Sequence, residues 1–218
     1  MVKIAMFNNK GGVGKSTSAI NVAHAMTRLG KKVLVVDCDT QQNTVLFFYD
    51  DPNVNYPQKT RYENLSVVYA ERDCDVPNST EFIYDYAILD LPPALDERTQ
   101  RIVSKCDYVF VPFELGKFAI QGVAKVTETI ATSGVKFGGC FVNKFDRDNP
   151  ADHQLDVLLR QTLGSKALNT RIPNSRVIKN SVSFRQTAFE YMEWTEAAGA
   201  YTALTKEIIT VTGGETHG

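Results

Sequence analysis

The residues that point most directly to chemistry form a glycine-rich segment near the start of the chain, Lys10-Gly11-Gly12-Val13-Gly14-Lys15-Ser16-Thr17. An apolar run precedes it at 2–7, and apolar residues at helical spacing follow at 16–29. A glycine turn between a strand and a helix lets backbone N–H groups and the positive helix end surround phosphate oxygens. We therefore predict a nucleotide-phosphate site, in which Lys15 reaches the β- and γ-phosphates and the Ser16 hydroxyl completes a Mg²⁺ shell.

The glycine-rich segment departs from the usual pattern G-x-x-x-x-G-K-[ST] because Asn9 occupies the first glycine position. The same segment carries a second cation, Lys10, next to the loop. KGGVGKST resembles the deviant Walker A motif of the ParA/MinD family of ATPases. The resemblance implies that Lys10 reaches the nucleotide of a partner subunit, and it therefore implies a homodimer that sandwiches ATP.

Three carboxylates follow apolar runs that read as strands: Asp37 and Asp39 follow 32–36, and Asp90 follows Ala87-Ile88-Leu89. The carboxyl ends of parallel strands face the ligand crevice, where carboxylates can hold metal-bound waters or orient an attacking water. Asp90 therefore reads as a Walker B-type carboxylate that holds Mg²⁺ through water.

Two resemblances refine these roles. DCDTQQN resembles the family motif D-x-D-P-Q-x-N, with Thr40 in place of proline, and implies that Asp39 positions the attacking water. The segment Leu91-Pro92-Pro93 resembles the family's γ-phosphate-sensing loop. The expected catalytic residues are Lys10, Lys15 and Asp39, and the expected metal-binding residues are Ser16, Asp37 and Asp90.

The base-binding residues leave two alternatives. Asn143-Lys144-Phe145-Asp146 follows an apolar strand and fits the N-K-x-D pattern with which many GTPases bind guanine. The ParA/MinD resemblance instead implies that Asn143 contacts adenine and that Ile172-Pro173 lines the other side of the base. Because this resemblance covers nearly the whole chain, we expect ATP and keep GTP as the alternative. The expected nucleotide-binding residues are 10–17, Asn143 and Pro173.

Charge is unevenly distributed late in the chain. No acidic residue occurs from 157 to 189, although the chain as a whole has a net charge of −1. A basic surface attracts the phosphate backbone of nucleic acid without reading its sequence. We predict non-specific DNA binding through Arg171, Arg176, Lys179 and Arg185; the alternative is a solvated face with no partner.

Composition limits the class of protein. A chain of 218 residues with 43% hydrophobic and 22% charged residues suits one ordered domain. The four cysteines, Cys38, Cys74, Cys106 and Cys140, contain no CxxC pair, which argues against a metal or iron–sulfur site within one chain. With no signal-peptide pattern and no apolar run of about 20 residues, we expect a cytoplasmic protein without an evident membrane anchor.

The hydrophobic pattern predicts an α/β fold: a doubly wound, mostly parallel sheet with helices on both faces, as in P-loop NTPases. Residues 65–69 suit a strand or a short helix, and most of 50–80 stays unassigned. We expect one domain over 1–212 and a loose tail over 213–218. The predicted strands are 2–7, 32–36, 86–91, 108–113, 136–143 and 167–172, and the predicted helices are 16–29, 117–132, 151–163 and 195–211.

The resemblance is strongest to short ParA-type partition ATPases, because the residues before the phosphate loop leave no room for a helix-turn-helix domain. It implies a slow ATPase that segregates plasmids or chromosomes, associates with the nucleoid when ATP-bound, and is stimulated by a ParB-like or centromere-binding protein. Two alternatives stay open. One is a MinD-like ATPase that positions a protein or membrane cargo, and the other is a metabolic P-loop enzyme of the same branch.

Overall fold

One twisted sheet carries the elements that later form the candidate site. The computed structural model describes residues 1–72, 83–94, 96–116, 127–128, 130 and 133–214. Most of the helix predicted over 117–132 lies outside the described residues, as do Cys74 and residues 215–218 of the predicted tail.

Within the described residues, the sheet has eight strands in the order β3-β4-β2-β5-β1-β6-β7-β8. Each neighbouring pair is parallel except β3 and β4, which are antiparallel. The strands are β1 (Val2–Met6), β2 (Val33–Asp37), β3 (Gln58–Lys59), β4 (Leu65–Tyr69), β5 (Tyr86–Asp90), β6 (Tyr108–Glu114), β7 (Lys136–Phe145) and β8 (Ala167–Pro173). The strand alternative for residues 65–69 is therefore confirmed.

Seven α-helices are described, together with a 3₁₀ turn at Gly164–Lys166. Most of them begin at a side chain that accepts a backbone N–H of the first turn, as Asp96 does for Thr99 and Ser175 does for Val177. The helices are α1 (Lys15–Arg28), α2 (Asn43–Phe48), α3 (Glu97–Val103), α4 (Pro150–Leu163), α5 (Arg176–Ser183), α6 (Ala188–Tyr191) and α7 (Glu196–Val211).

Successive strand residues point to opposite faces of the sheet and feed two separate cores. Ile4 and Ile88 belong to one core, which also contains most of the apolar residues of α1 and α7. Ala5 and Leu89 belong to the other, which contains Ile102 of α3 and Leu159 of α4. Burial on both faces explains why the central strands are continuously apolar, and it confirms the predicted doubly wound fold.

The sequence pattern missed four helices, α2, α3, α5 and α6. Each has eight residues or fewer, so each shows little more than two turns of helical periodicity. The helix predicted over 195–211 is present as α7, and its Tyr201, Leu204, Ile208 and Ile209 are fully buried in the first core. Among the residues described, no helix has the length and apolar character needed to cross a membrane.

Candidate nucleotide site

The glycine-rich segment leaves β1 at the carboxyl edge of the sheet and leads directly into α1. Asn8, which the sequence did not single out, fixes its start: Nδ2 donates to the Pro112 carbonyl at 2.8 Å, and Oδ1 accepts the Lys10 N–H at 2.9 Å. Gly12 and Gly14 have φ angles of 73° and 90°. These left-handed conformations favour glycine, so the backbone geometry accounts for two of the three glycines in the loop.

Two adjacent cavities open beside this loop, and they share Gly12, Gly14, Thr17 and Val182. The larger, of about 570 Å³, is the phosphate cavity. Its lining includes Gly11, Gly12, Gly14, Lys15, Ser16, Thr17, Asp39, Asn43, Phe47, Pro93, Val182 and Arg185. The smaller, of about 270 Å³, is the base cavity. Its lining includes Asn143, Lys144, Pro173, Asn174, Ser175, Ile178, Lys179, Val182 and Tyr201.

Lys15 is the buried cation of the phosphate loop, and it lines the phosphate cavity. Its side chain is buried, and its Nζ lies 3.4 Å from the Lys10 carbonyl oxygen. Burial lowers the pKa of Lys15, whereas the nearby carboxylates of Asp90 and Asp39 oppose that shift. A bound polyphosphate would add negative charge to the same cavity and would stabilise the ammonium form of this side chain.

Asp37 connects the end of β2 to the start of α2. Its Oδ1 accepts the Asp39 N–H at 3.0 Å, and its Oδ2 accepts the N–H groups of Thr44 and Val45 at 2.9 Å each. Burial, followed by the nearby Asp90 carboxylate, raises the pKa of Asp37 to about 7. With both oxygens held by backbone donors, Asp37 organises the loop that carries Asp39, and its predicted contribution to a Mg²⁺ shell stays a prediction.

Asp90 has the geometry expected of a metal-supporting carboxylate. Its Oδ2 accepts the Thr44 hydroxyl at 2.7 Å, and it also pairs with the Ser16 side chain. Its Oδ1 is buried and has no hydrogen-bond partner within the described part of the chain. Burial raises the pKa of Asp90 to about 6. An unpaired carboxylate oxygen beside a serine hydroxyl is a donor set suited to the water shell of Mg²⁺.

The described residues contain no cluster of three His, Cys, Asp or Glu side chains that could hold a metal ion. Mg²⁺ at a nucleotide does not need such a cluster, because it keeps several waters and takes ligands from the phosphates. Asp39 stands apart from Asp37 and Asp90: it is half-buried, lines the phosphate cavity, and accepts the Gln41 N–H at 3.0 Å. Asp39 thus faces the phosphate cavity, and its role in positioning the attacking water stays a prediction.

Lys10 differs from Lys15 in the exposure of its side chain and in its position relative to the cavities. It lines neither of the two cavities, and 63% of its side chain is exposed. Its Nζ lies 3.9 Å from Glu114 Oε2, a contact between two partly exposed side chains that contributes little stability. The phosphate loop thus directs one lysine inward and the other outward.

Asn143 and Lys144 support the phosphate loop from β7. Asn143 Nδ2 donates to the Val13 carbonyl, and Lys144 Nζ donates to the Gly12 carbonyl, both at 2.7 Å. The side chain of Val13 is buried, and it is the backbone carbonyl of this residue that accepts the hydrogen bond from Asn143. Asn143 and Pro173 both line the base cavity. The sequence did not predict this contact of Lys144, which was identified only as part of the N-K-x-D pattern.

Asp146, which the guanine alternative requires, does not line the base cavity. Its side chain is exposed, its Oδ1 accepts the Asp148 N–H at 3.1 Å, and its own N–H donates to Asp152 Oδ2 at 2.9 Å. The residue therefore belongs to the turn that precedes α4.

The four predicted DNA-binding residues do not form one group. Arg171 donates to Asp156, a carboxylate that is 2% exposed and that also pairs with Arg160. Burial alone would raise the pKa of Asp156, but the hydrogen bonds from these two arginines lower it. Asp156 lies one residue before the acid-free segment, which is why charge counting within that segment did not reveal the pairing.

The other three residues lie on or next to α5. Arg176 and Lys179 are three positions apart on this helix, and Lys179 also reaches the base cavity. Arg185 lines the phosphate cavity and pairs with Asp50. The structure therefore brings the predicted basic surface close to the nucleotide cavities, with Arg171 apart from it.

Comparisons with known proteins agree with this geometry. Residues 4–188 match the family model described as the CobQ/CobB/MinD/ParA nucleotide binding domain. The chain is 27% identical to the chromosome partitioning protein ParA of Caulobacter vibrioides, with 94% of this chain and 93% of that protein covered. It is 28% identical to the chromosome-partitioning ATPase Soj of Thermus thermophilus, with 95% of each covered.

Solved structures share the fold. The Pyrococcus furiosus cell division ATPase MinD superposes with a TM-score of 0.85 at 21% identity, over 96% of this chain and 99% of that chain. A putative plasmid partition protein from Borrelia burgdorferi bound to AMPPNP superposes with a TM-score of 0.75 at 18% identity, over 97% and 98%. Together with the family model, these matches confirm the family and the fold predicted from the sequence.

Proposed function

Because this chain belongs to the CobQ/CobB/MinD/ParA family of nucleotide-binding domains, we propose that it is an ATP-dependent DNA-partition ATPase. In the proposed cycle, the chain binds ATP and Mg²⁺ and forms a sandwich dimer. The dimer binds DNA without sequence preference, and hydrolysis, stimulated by a ParB-like or centromere-binding partner, releases it. The cycle would place the protein in the cytoplasm, on the nucleoid when ATP-bound.

The observation that carries this proposal is the placement of the two lysines of the phosphate loop. Lys15 is buried within the phosphate cavity, whereas Lys10 lies outside it and is mostly exposed. A cation that is attached to the loop but directed away from its own cavity is available to a nucleotide held by a second subunit. Such an arrangement makes the nucleotide part of a dimer interface and links dimerisation to hydrolysis.

The geometry supports ATP rather than GTP. Guanine recognition through the N-K-x-D pattern needs the Asp146 carboxylate at the base, but this carboxylate is engaged in a turn outside the base cavity. The apolar part of that cavity, Ile178 and Val182 with Pro173, suits the faces of an adenine ring. The base cavity thus lacks the charged acceptor with which the alternative would select guanine.

In the proposed reaction, the chain's own residues bind the phosphates and orient water. Lys15 and the loop N–H groups neutralise charge that develops on the transferred phosphoryl group, and Asp39 orients the attacking water. Ser16 directly, and Asp90 through water, would hold Mg²⁺, which supplies further charge stabilisation when bound.

DNA binding is proposed for the surface formed by Arg176 and Lys179 on α5, next to Arg185. Cationic side chains on an exposed surface attract the phosphates of the DNA backbone irrespective of base sequence. Membrane binding in the manner of an amphipathic helix has less support, because Tyr201, Leu204, Ile208 and Ile209 of α7 are already buried in the core.

Co-sedimentation tests this proposal against the MinD-like alternative. The chain would be mixed with plasmid DNA or with anionic liposomes, each with ATP, ADP or no nucleotide. We expect ATP-dependent co-sedimentation with DNA. ATP-dependent binding to liposomes without binding to DNA would support the positioning ATPase instead, and the absence of ATP hydrolysis in every condition would contradict an ATPase of either type.

A further inference from the structure

One side chain outside both cavities joins two strand ends to the helix that follows Pro93. Arg98, in the first turn of α3, donates from Nη1 to the Cys38 carbonyl at 2.8 Å and from Nη2 to the Ala70 carbonyl at 2.7 Å. Cys38 immediately follows β2, and Ala70 immediately follows β4, its parallel neighbour. The guanidinium thus fastens the carboxyl ends of two adjacent strands to α3.

The helix that presents Arg98 is itself firmly placed. Asp96 Oδ1 accepts the Thr99 N–H at 2.7 Å at the start of α3. Ile102 and Val103 of α3 are buried in the same apolar core as Cys38 and Ala70. The planar guanidinium holds its two donors in a fixed relative geometry, so a pair of carbonyls fixes its position. α3 and the two strand ends are therefore held as one unit.

Burial of the Arg98 side chain also favours both hydrogen bonds to the strand ends. Arg98 is half-buried, and its Nε is buried without a hydrogen-bond partner in the described part of the chain. Removing a charged donor from water is costly unless it is paired, so the two carbonyl bonds compensate for the burial of this guanidinium. Cys38 is also held from its other side, because its N–H donates to the Asp90 carbonyl at 2.9 Å.

The two segments that Arg98 connects each contribute a residue to the phosphate cavity. Asp39 directly follows Cys38, and Pro93 lies five residues before Arg98. Asp39 and Pro93 both line the cavity, whereas Arg98 does not. If a shift of the Pro92-Pro93 segment moves α3, Arg98 moves with this helix. The hydrogen bond from Arg98 to the Cys38 carbonyl would then displace Asp39, the next residue in the chain.

We propose that Arg98 is a positioning residue: it keeps Cys38, and through it Asp39, in a fixed relation to the Pro92-Pro93 segment during ATP hydrolysis. The proposal rests on the ATPase function proposed above. Since Arg98 lines neither cavity, its loss affects the hydrolytic step and leaves nucleotide affinity nearly unchanged. A displacement of catalytic groups by about 1 Å is enough to lower a rate by orders of magnitude.

The experiment compares Arg98→Met, which keeps the apolar stem and removes both donors, with Arg98→Lys, which keeps the charge. Arg101→Met is the matched control, because Arg101 lies on the same helix and is 54% exposed beside Glu97. Affinity is measured with a fluorescent ATP analogue, and hydrolysis is measured in single turnovers with Mg²⁺. We expect a rate at least about tenfold lower for Arg98→Met with an affinity within about threefold of wild type.

For Arg98→Lys we expect a rate between those of wild type and Arg98→Met, and Arg101→Met should match wild type in both quantities. A rate for Arg98→Met within twofold of wild type would overturn the proposal. So would equal losses of rate and affinity in which Arg98→Lys is no better than Arg98→Met, since these indicate a merely structural side chain. If Arg98→Met does not fold, Arg98→Lys is compared with wild type directly: a lower rate at unchanged affinity supports the proposal, and an unchanged rate, or equal losses of rate and affinity, overturns it.

The two proposals fail in different ways. A wild-type chain that hydrolyses no ATP contradicts the proposed function, and this result appears before any variant is compared. Normal hydrolysis by the wild type together with normal hydrolysis by the Arg98 variants contradicts only the positioning role.

Discussion

Replacing Gly14 by alanine tests whether the phosphate loop depends on its backbone conformation and on Asn143. Gly14 has a φ of 90°, and a Cβ atom at this position would lie 2.2 Å from Asn143 Nδ2. The left-handed conformation costs an L-residue about 1–2 kcal/mol. Displacing Asn143 from the Val13 carbonyl adds about 1 kcal/mol. We therefore expect Gly14→Ala to cost roughly 2–3 kcal/mol in total.

That cost divides between stability and binding. If the loop keeps its conformation, the free energy of unfolding falls; if the loop moves, nucleotide affinity falls, by about tenfold for each 1.4 kcal/mol. Urea denaturation and titration with a fluorescent ATP analogue measure the two parts, and their sum is the quantity to compare with the expected cost. Gly116→Ala is the matched control, since its Cβ would have no neighbour within 4 Å, its φ is not positive, and it lines neither cavity.

A second substitution separates strain from collision. In a chain that carries Asn143→Ala, the Cβ at position 14 no longer meets the Asn143 amide, so Gly14→Ala should cost only the backbone part, about 1–2 kcal/mol. The reasoning is refuted if Gly14→Ala and Gly116→Ala differ by less than about 0.5 kcal/mol in the summed quantity.

Three further predictions concern other parts of the molecule. Asp39→Ala should keep nucleotide affinity but lose hydrolysis, leaving a dimer that persists in ATP during size-exclusion chromatography; rapid return to monomer would contradict the role of Asp39. Charge reversal at Arg176 and Lys179 should weaken DNA binding and flatten its salt dependence. The control Lys206→Glu, on the exposed side of α7, should leave DNA binding unchanged. Equal losses of DNA binding in the variant and the control would contradict a DNA-binding surface on α5. Burial lowers the pKa of His24 to about 4, so as pH falls from about 6.5 towards 4 this residue should lower the stability of the wild type relative to His24→Gln, because only the unfolded chain takes up the proton. His24→Gln should remove this loss, roughly 3 kcal/mol at pH 4 by urea denaturation; an unchanged pH profile in the variant would contradict the neutral, buried histidine.

Much of the phosphate cavity was predictable because many of its residues lie in short segments that follow the ends of strands. The glycine-rich segment, Asp39 and Asp90 follow apolar strands, and parallel strands place their carboxyl ends at one edge of the sheet. The order of these motifs therefore determines which residues meet, even though no distance can be read from the sequence. The family motifs then distinguish Lys10 from Lys15.

The supporting contacts were not predictable, because they join residues that are distant in the chain and individually unremarkable. Asn8 contacts Pro112, Lys144 contacts Gly12, and Thr44 contacts Asp90. None of these polar residues belongs to a motif that demands its partner.

Long-range pairing also limited the reading of charge. Arg171 was predicted to bind DNA because it lies within an acid-free segment. The buried carboxylate of Asp156, just before that segment, forms an ion pair with Arg171. A count of charges along the chain cannot show which face of a helix they occupy. The helix α5, too short to show a clear period, is the element that brings Arg176 and Lys179 together.

Measurement of the molecular mass in solution tests the proposed function most directly. Light scattering coupled to size-exclusion chromatography would compare the wild type in a non-hydrolysable ATP analogue, in ADP and without nucleotide, and would repeat the series for Lys10→Ala. We expect a dimer for the wild type in the ATP analogue alone, and a monomer throughout for Lys10→Ala with nucleotide binding retained. A wild-type monomer in all three conditions, or a Lys10→Ala dimer equal to wild type, would contradict a nucleotide-linked dimer built on Lys10.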